Sequence, residues 1–331
     1  MKATVMMPLC LGMALLTATA QAAPAIYPVD TARFLGTSKF DFKVEFDREL
    51  SQSDIDVRIN GKSVADVFGA RPEFIRNEEG KGSAILLRNV SLTPGKYVVS
   101  AKDGKEEASA KWDVYGTPEK AKAKNVILLI ADGLSMGHRT GARLLSKGVT
   151  NGMYNGYLSM DTLPYTGMLG TCSVDSIAAD SANTASAYMT GHKSSVNAIG
   201  VYADRTKDPF DDPRQENIAE LLRRKTNKSI GIVSDAEVED ATPASVVSHT
   251  RKRSEKAAIV GMFAGIRPEV LIGGGSAYFL PRTVPGSKRK DDKDYVEDFR
   301  KAGYTLATTR TELEKVMEKT PDRLLGLFHT G

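Results

Sequence analysis

Ser181 opens the stretch of this sequence whose residue types are best suited to chemistry. It follows Asp180 and begins a run of small residues that ends at Gly191. Such a run predicts a short helix with the Ser181 hydroxyl at its N-terminus, where free backbone N–H groups and the helix dipole favour an anion. From this segment alone the hydroxyl could cap the helix, a preferred role for serine, or it could attack a phosphorus atom.

Oxygen-bearing side chains follow two apolar runs elsewhere in the chain. Asp132 comes directly after the run 125–130, and its carboxylate could cap a turn or bind a metal. Asp240 and Thr242 lie two residues apart after a second run and can present two oxygens to one site. Thr242 before Pro243 is also a standard helix start. Oxygen ligands of this kind suit a hard cation such as Mg²⁺.

Arg253 lies ten residues after Pro243. We expect the helix that starts at Pro243 to continue to Arg253, nearly three turns along. Arg251 and Lys252 beside it are typical of a solvated basic helix end, so this pattern alone favours an exposed arginine.

Four continuous apolar runs predict the core strands of an α/β domain with a mostly parallel central sheet flanked by helices. A helical stretch at 218–225 is one of those between them. Ligand sites in such sheets lie beyond the carboxyl ends of the strands. Asp132 lies at such an end, after the predicted strand 125–130. The runs are 125–130, 229–234, 270–272 and 324–328.

The region 23–116 predicts a small β-sandwich of immunoglobulin-like type, joined by a polar linker at 117–124. Every second residue from Phe40 to Phe46 is apolar, the period of a half-buried strand. Asn60-Gly61 is a hairpin-turn signal. Nothing in this region suggests catalysis, so we expect a packing or positioning module.

The first 22 residues have the pattern of a signal peptide. A basic start at Lys2 precedes a mostly apolar stretch, and Ala20-Gln21-Ala22 matches the small-x-small cleavage pattern. The sequence therefore predicts an exported protein, periplasmic or secreted, that starts near Ala23 and has no membrane contact after cleavage.

Cysteine content argues against a disulfide-stabilised fold, and net charge gives no reason to expect a nucleic-acid-binding protein. Removal of residues 1–22 leaves Cys172 without an intrachain partner, so we expect no disulfide framework and a buried, inert thiol. The net charge of +4 is small for 331 residues and gives no support for nucleic acid as a partner.

Five segments together resemble the alkaline phosphatase family and occur in the family's order over about 125–331. The N-terminal region lies outside the resemblance. The segments are 125–136, 180–191 with 198–201, 240–253, 273–279 and 324–328.

The resemblance implies roles for three residues in phosphomonoester hydrolysis. Ser181 matches the nucleophile that forms a phosphoserine intermediate. Arg253 matches the arginine whose planar fork holds two phosphate oxygens. Asp180 matches the neighbour that orients this arginine.

The resemblance also implies a metal centre with two zinc ions and one magnesium ion. Asp132 matches the carboxylate that bridges one zinc and the magnesium, and Asp240 and Thr242 match magnesium ligands. The Ser181 alkoxide would be favoured by zinc coordination. The remaining ligands, mostly histidines, lie C-terminal to everything in this sequence.

None of the four histidines matches a zinc position of the family, and we expect structural roles for His138, His192, His249 and His329. The sequence also stops directly after a core strand. We therefore expect a truncated product or a partial sequence, weak or inactive by itself, whose full-length parent hydrolyses small phosphomonoesters. The family further implies a homodimer.

Two other interpretations stay open. One is a related phosphodiesterase or sulfatase, although the residues around Cys172 lack the Cys-x-Pro-x-Arg context of a sulfatase nucleophile. The other is a non-catalytic exported protein whose sandwich binds a partner.

Overall fold

A computed structural model describes residues 23–120 and 122–330. The predicted signal peptide at 1–22 lies outside the described residues. None of the helices within the described ranges is both long enough and apolar enough to cross a bilayer.

The N-terminal β unit, residues 25–115, consists of two sheets around one apolar core. One sheet has the strand order β1-β3-β7-β6 and the other β2-β9-β8-β4-β5. The core contains Phe40, Phe42 and Trp112. The elements are β1 (Ala25–Tyr27), β2 (Arg33–Leu35), β3 (Phe40–Glu45), β4 (Asp56–Ile59), β5 (Lys62–Ser63), α1 (Val64–Phe68), β6 (Glu73–Ile75), β7 (Ala84–Val90), β8 (Gly95–Lys102) and β9 (Glu107–Tyr115).

Strand β3 is buried on both faces, so the expectation of a half-buried strand is wrong. The polar residues Asp41, Lys43 and Glu45 are only 5%, 2% and 5% exposed. The segment 204–216, here called the docking segment, covers them. For example, the backbone N–H of Asp41 donates to Arg214 O at 2.8 Å. The alternating sequence pattern predicted the apolar face of β3. It could not predict that the docking segment covers the polar face.

The α/β part, residues 122–330, contains a four-stranded sheet in the order β12-β13-β15-β14. All its strand pairs are parallel. The predicted helix at 218–225 is present as α4 with those bounds. The elements are α2 (Met136–Lys147), β10 (Val149–Thr150), β11 (Met153–Tyr154), α3 (Ser181–Thr190), α4 (Ile218–Lys225), β12 (Gly231–Glu237), α5 (Ala241–Ala244), α6 (Lys256–Ile266), β13 (Val270–Gly274), α7 (Tyr295–Lys301), β14 (Thr305–Ala307), α8 (Arg310–Met317) and β15 (Leu324–Leu327).

The apolar run 125–130 forms no strand, which contradicts its prediction as a central strand. Val126, Ile127 and Leu129 are 84%, 87% and 89% exposed. Strand β12 pairs only with β13, so it is an edge strand within the part of the chain that the structure describes. A buried central strand needs a hydrogen-bonding ladder and cover on both faces. The described residues supply neither beside 125–130. The fourth strand of the sheet is instead β14, which the sequence pattern did not indicate.

Candidate active site

Helix α3 carries Ser181 at its first position. Its N-cap is Asp180, whose carboxylate accepts a hydrogen bond from the backbone N–H of Asn183 at 3.1 Å. The helix ends at Thr190, and its C-cap Gly191 has the left-handed φ of 79° that glycine tolerates best. Because Asp180 caps the helix, the Ser181 hydroxyl is available for another contact.

Arg253 does not lie on a helix, so the predicted helix from Pro243 to Arg253 is wrong. Helix α5 ends at Ala244, and the chain then turns until Thr250 forms an isolated antiparallel bridge with Ile199. The backbone N–H of Arg253 donates to Asn197 O at 2.9 Å. These long-range backbone contacts replace the helix and turn the segment 250–253, here called the arginine loop, toward α3.

The guanidinium of Arg253 joins Ser181 to two carboxylates. Its Nη1 lies 2.8 Å from Ser181 Oγ and 3.4 Å from Asp180 Oδ2. Its Nη2 lies 2.8 Å from Asp240 Oδ1. Burial lowers the pKa of Arg253, but the hydrogen bonds and charges of Asp240 and Asp180 outweigh burial and raise the pKa above its ordinary value. The arginine is thus a fixed cation beside the hydroxyl.

Three oxygen ligands predicted for a metal lie next to this group. Thr242 Oγ1 donates to Asp132 Oδ2 at 2.8 Å. Asp240 is the N-cap residue of α5, but its side chain makes no capping hydrogen bond. Two carboxylates and a hydroxyl form a donor set that fits Mg²⁺. The predicted site residues form two contact groups, which the two-residue step from Asp240 to Thr242 joins along the chain: Asp180, Ser181, Asp240 and Arg253 in one, and Asp132 and Thr242 in the other.

The histidines make other contacts. His192 and His249 are buried, with His249 Nε2 3.0 Å from Glu220 Oε2. His138 contacts Ser135 at the start of α2, and the carbonyl of His329 accepts a hydrogen bond from Gly275 N–H.

No close group of three His, Cys, Asp or Glu side chains is found around Ser181 among the described residues. The one close group of three His, Cys, Asp or Glu side chains found among them consists of Asp204, Asp211 and Asp212. This group already contacts the guanidinium of Arg251, whose Nη2 lies 2.8 Å from Asp204 Oδ1. The acidic group is therefore compensated by an arginine.

Two residues at the site were not singled out by the sequence. Asn197 has φ of 67°, donates its N–H to Asp180 Oδ2 at 3.1 Å and accepts from Arg253. Glu239, beside Asp240, is fully buried, and neither of its carboxylate oxygens has a hydrogen-bond partner among the described residues. Burial raises the pKa of Glu239 to about 8. A left-handed asparagine and a buried acid have no distinctive local pattern, which is why neither was found.

Two exposure expectations are wrong. Cys172 is exposed rather than buried, and Lys193 Nζ lies 2.8 Å from its Sγ and lowers the pKa of the thiol. Arg251 is not on a solvated helix end, because it donates to Asp204 and Asp212 and its side chain is only 15% exposed. Both outcomes depend on neighbours that are distant in sequence.

Comparison with known proteins gives one consistent result. Residues 123–331 match the alkaline phosphatase family. The chain is 35% identical to alkaline phosphatase H of Pseudomonas aeruginosa over 64% of this chain and 47% of that protein. It is 32% identical to streptomycin-6-phosphate phosphatase of Streptomyces griseus over 63% of this chain and 48% of that protein.

A solved structure is also similar. The crystal structure of a cold-active alkaline phosphatase from a psychrophilic Shewanella species gives a TM-score of 0.49 at 25% identity, over 61% of this chain and 45% of that one. The chain spans about half the length of the curated relatives that it matches.

Proposed function

Because the chain belongs to the alkaline phosphatase family, we propose that it contributes the Ser181–Arg253 site of a phosphomonoesterase. The observation that carries the proposal is the 2.8 Å contact between Arg253 Nη1 and a serine hydroxyl that no helix cap occupies. This pair offers a nucleophile and a charged fork at one point.

In the proposed reaction Ser181 Oγ attacks the phosphorus of a small phosphomonoester. The Oγ–P bond forms, the ester P–O bond breaks and the hydroxyl proton leaves to solvent, while the alcohol takes up a proton. Water then attacks the phosphoserine, which releases inorganic phosphate and restores the hydroxyl. Arg253 holds two non-bridging oxygens with its fork, and Asp180 orients this arginine.

The described residues fit one of the proposed metals but not the other. Asp132, Asp240 and Thr242 supply the oxygen ligands that Mg²⁺ prefers, and the ion would offset the charge of a bound phosphate. Zinc sites are built mainly from His, Cys and carboxylate ligands, and the described residues form no close group of three of these at Ser181. Two zinc ions stay part of our proposal for the whole protein.

Substitution of the serine tests the proposal. In the full-length parent we expect Ser181→Ala to abolish turnover of p-nitrophenyl phosphate and any phosphoserine trapped at low pH. Ser146→Ala is the matched control, because among the described residues the Ser146 hydroxyl donates to the helix carbonyl of Ala142 and to no site residue. Equal turnover in wild type and Ser181→Ala would exclude Ser181 as the nucleophile.

The 331-residue chain by itself should turn over substrate weakly, because its described part supplies so few zinc ligands. Zinc content and p-nitrophenyl phosphate turnover of residues 23–331 would measure this. Robust zinc-dependent turnover would contradict the expectation.

The open alternatives give different results in the same assays. A phosphodiesterase would hydrolyse bis-p-nitrophenyl phosphate faster than the monoester. A non-catalytic binding protein would show neither turnover nor a phosphoserine. We further propose export through the signal peptide at 1–22, an immunoglobulin-like sandwich at 23–116, a linker at 117–124, an alkaline-phosphatase-like domain at 125–331 and a homodimer.

A further inference from the structure

The first observation concerns the C-terminal end of helix α3. Phe34 of strand β2 stacks on His192, with ring centroids 4.6 Å apart and planes 19° apart. Phe34 also lies in the apolar core of the N-terminal β unit, 5.1 Å from Phe40 between centroids. A Cβ at Gly191 would lie 3.6 Å from Arg33 O, so the strand and the helix end are in close contact. The β unit therefore fixes the far end of the helix that begins with Ser181.

The second observation concerns the arginine loop. Lys43 of strand β3 lies with its Nζ 2.6 Å from Asp204 Oδ2 in the docking segment. The other oxygen of that carboxylate, Oδ1, lies 2.8 Å from Nη2 of Arg251. Arg251 is two residues before Arg253. Direct charged contacts thus run from the β unit to the loop that presents the phosphate-binding arginine.

These contacts are buried, which makes them rigid. The side chains of Lys43 and Asp204 are 3% and 0% exposed, and Glu45 and Glu78 also lie within 3.0 Å and 2.7 Å of the lysine Nζ. Buried charges hold their geometry because an unpaired one costs several kcal/mol. Arg205 adds hydrogen bonds to the carbonyls of residues 46, 82 and 83 of the β unit at 2.7–2.9 Å.

We propose that the N-terminal β unit is a positioning part of the Ser181–Arg253 site, with Phe34 and Lys43 as positioning residues. Phe34 sets the helix that carries the nucleophile, and Lys43, through Asp204 and Arg251, sets the loop that carries the arginine. The β unit is therefore neither a tethered binding module nor a spacer. This inference rests on the proposed function of the same site.

The first test changes the contact with the helix. Phe34→Leu removes the ring from His192 but keeps an apolar side chain in the core. The matched control is Phe68→Leu, because the ring contacts of Phe68 are with Phe40 and Phe42 inside the β unit. Hydrogen exchange of the 331-residue chain, read by mass spectrometry, should accelerate about fivefold at 187–192 in Phe34→Leu and not in the control.

The second test changes the contact with the arginine loop. Lys43→Met removes the charge, and Arg48→Met is the control because Arg48 pairs with Asp103 within the β unit. Lys43→Met should accelerate exchange at 250–253 and weaken binding of inorganic phosphate, the probe, about tenfold or more, as small misplacements of binding groups do. Arg48→Met should leave both unchanged. If Lys43→Met does not fold, Phe34→Leu decides the proposal.

The positioning role would be overturned if hydrogen exchange and phosphate affinity changed equally in the variants and in their controls. Equal changes would mean that each substitution destabilises the whole β unit and not one contact with the site. Wild-type chain that does not bind inorganic phosphate would instead count against the proposed Ser181–Arg253 site, since weak turnover of this chain is already expected. The exchange data would still report whether the β unit restrains α3 and the arginine loop.

Discussion

Arg253 divides its guanidinium between one hydroxyl and two carboxylates. Its contacts to Ser181 and Asp240 are both 2.8 Å and use different nitrogens. Only a planar, multi-donor group can hold such acceptors together, since an ammonium is a point charge on a flexible stem. The same fork matches two oxygens of a phosphate.

Arg253→Lys tests this geometry at unchanged charge. We expect phosphate affinity and turnover of p-nitrophenyl phosphate to fall about 10- to 100-fold, because the fork is lost. Isothermal titration with inorganic phosphate measures the affinity. Arg282→Lys is the control, since Arg282 pairs with Asp292 at an exposed position. Wild-type affinity in Arg253→Lys would mean that charge alone binds the anion.

His192 predicts an acid sensitivity of the fold. Burial lowers its pKa from 6.5 to about 3, and its Nδ1 lies 3.0 Å from the hydroxyl of Tyr202. Between these pKa values the unfolded chain binds a proton that the folded chain excludes. The free energy of unfolding therefore falls as the pH falls below 6.5.

His192→Phe keeps a flat ring against Phe34 but cannot take up a proton. Between pH 6.5 and pH 4 the free energy of unfolding should fall in both proteins. We expect the fall to be about 3 kcal/mol smaller in His192→Phe than in wild type. Urea unfolding at both pH values measures this. Identical pH profiles for wild type and His192→Phe would show that His192 is not the sensitive group.

At the scale of elements, the turn at 198–201 sets where the arginine loop can run. Gly200 has φ of +61°, and a Cβ there would lie 2.6 Å from Ser248 O and 2.9 Å from His249 Nδ1. Only glycine fits this conformation and this close approach together. The bridge between Ile199 and Thr250 depends on the same contact.

Gly200→Ala should therefore lower the free energy of unfolding by about 2–4 kcal/mol. The control is Gly286→Ala, where φ is +88° but, apart from its chain neighbours, no described residue lies within 4 Å of the added Cβ, so only conformational strain of about 1 kcal/mol is expected. Denaturant midpoints of both variants give the comparison. Similar losses in the two would argue against tight packing of Gly200 on residues 248–249.

At the scale of the whole molecule, buried charges join the β unit to the α/β part. Arg205 of the docking segment is 15% exposed and donates to several carbonyls of the β unit. Removal of Arg205 would take away a positive charge from beside the buried carboxylates of Glu45 and Glu78 and would weaken the contact between the two parts. We therefore expect the two parts to unfold together only while the contacts of Arg205 with the β unit are intact.

We expect fluorescence of Trp112, the one tryptophan of the sequence, and far-UV circular dichroism to give the same urea midpoint in wild type. Arg205→Ala should separate the two midpoints and lower the free energy of unfolding by about 3–5 kcal/mol. Arg282→Ala, at an exposed ion pair, should leave them coincident. Separate midpoints already in wild type would contradict the coupling.

The sequence by itself determined features with a local cause. Helix α4 has the predicted bounds because its capping residue, amphipathic face and basic last turn all lie within 217–225. Three of the four apolar runs became parallel strands, and Asn60-Gly61 forms the two-residue turn between β4 and β5. The residue pattern also singled out Ser181 and the family resemblance singled out Arg253, and the structure brings their side chains into contact.

Only the tertiary structure decided features that depend on distant partners. The arginine loop does not form the predicted helix, because Thr250 pairs with Ile199 and the backbone N–H of Arg253 donates to Asn197 O. The polar face of β3 is buried because Asp204 and Arg214 supply its partners. The run 125–130 forms no strand because the described residues provide no ladder for it. Backbone pairing and the burial of charged groups depend on residues that are close in space but distant in sequence. A local sequence pattern therefore cannot predict them.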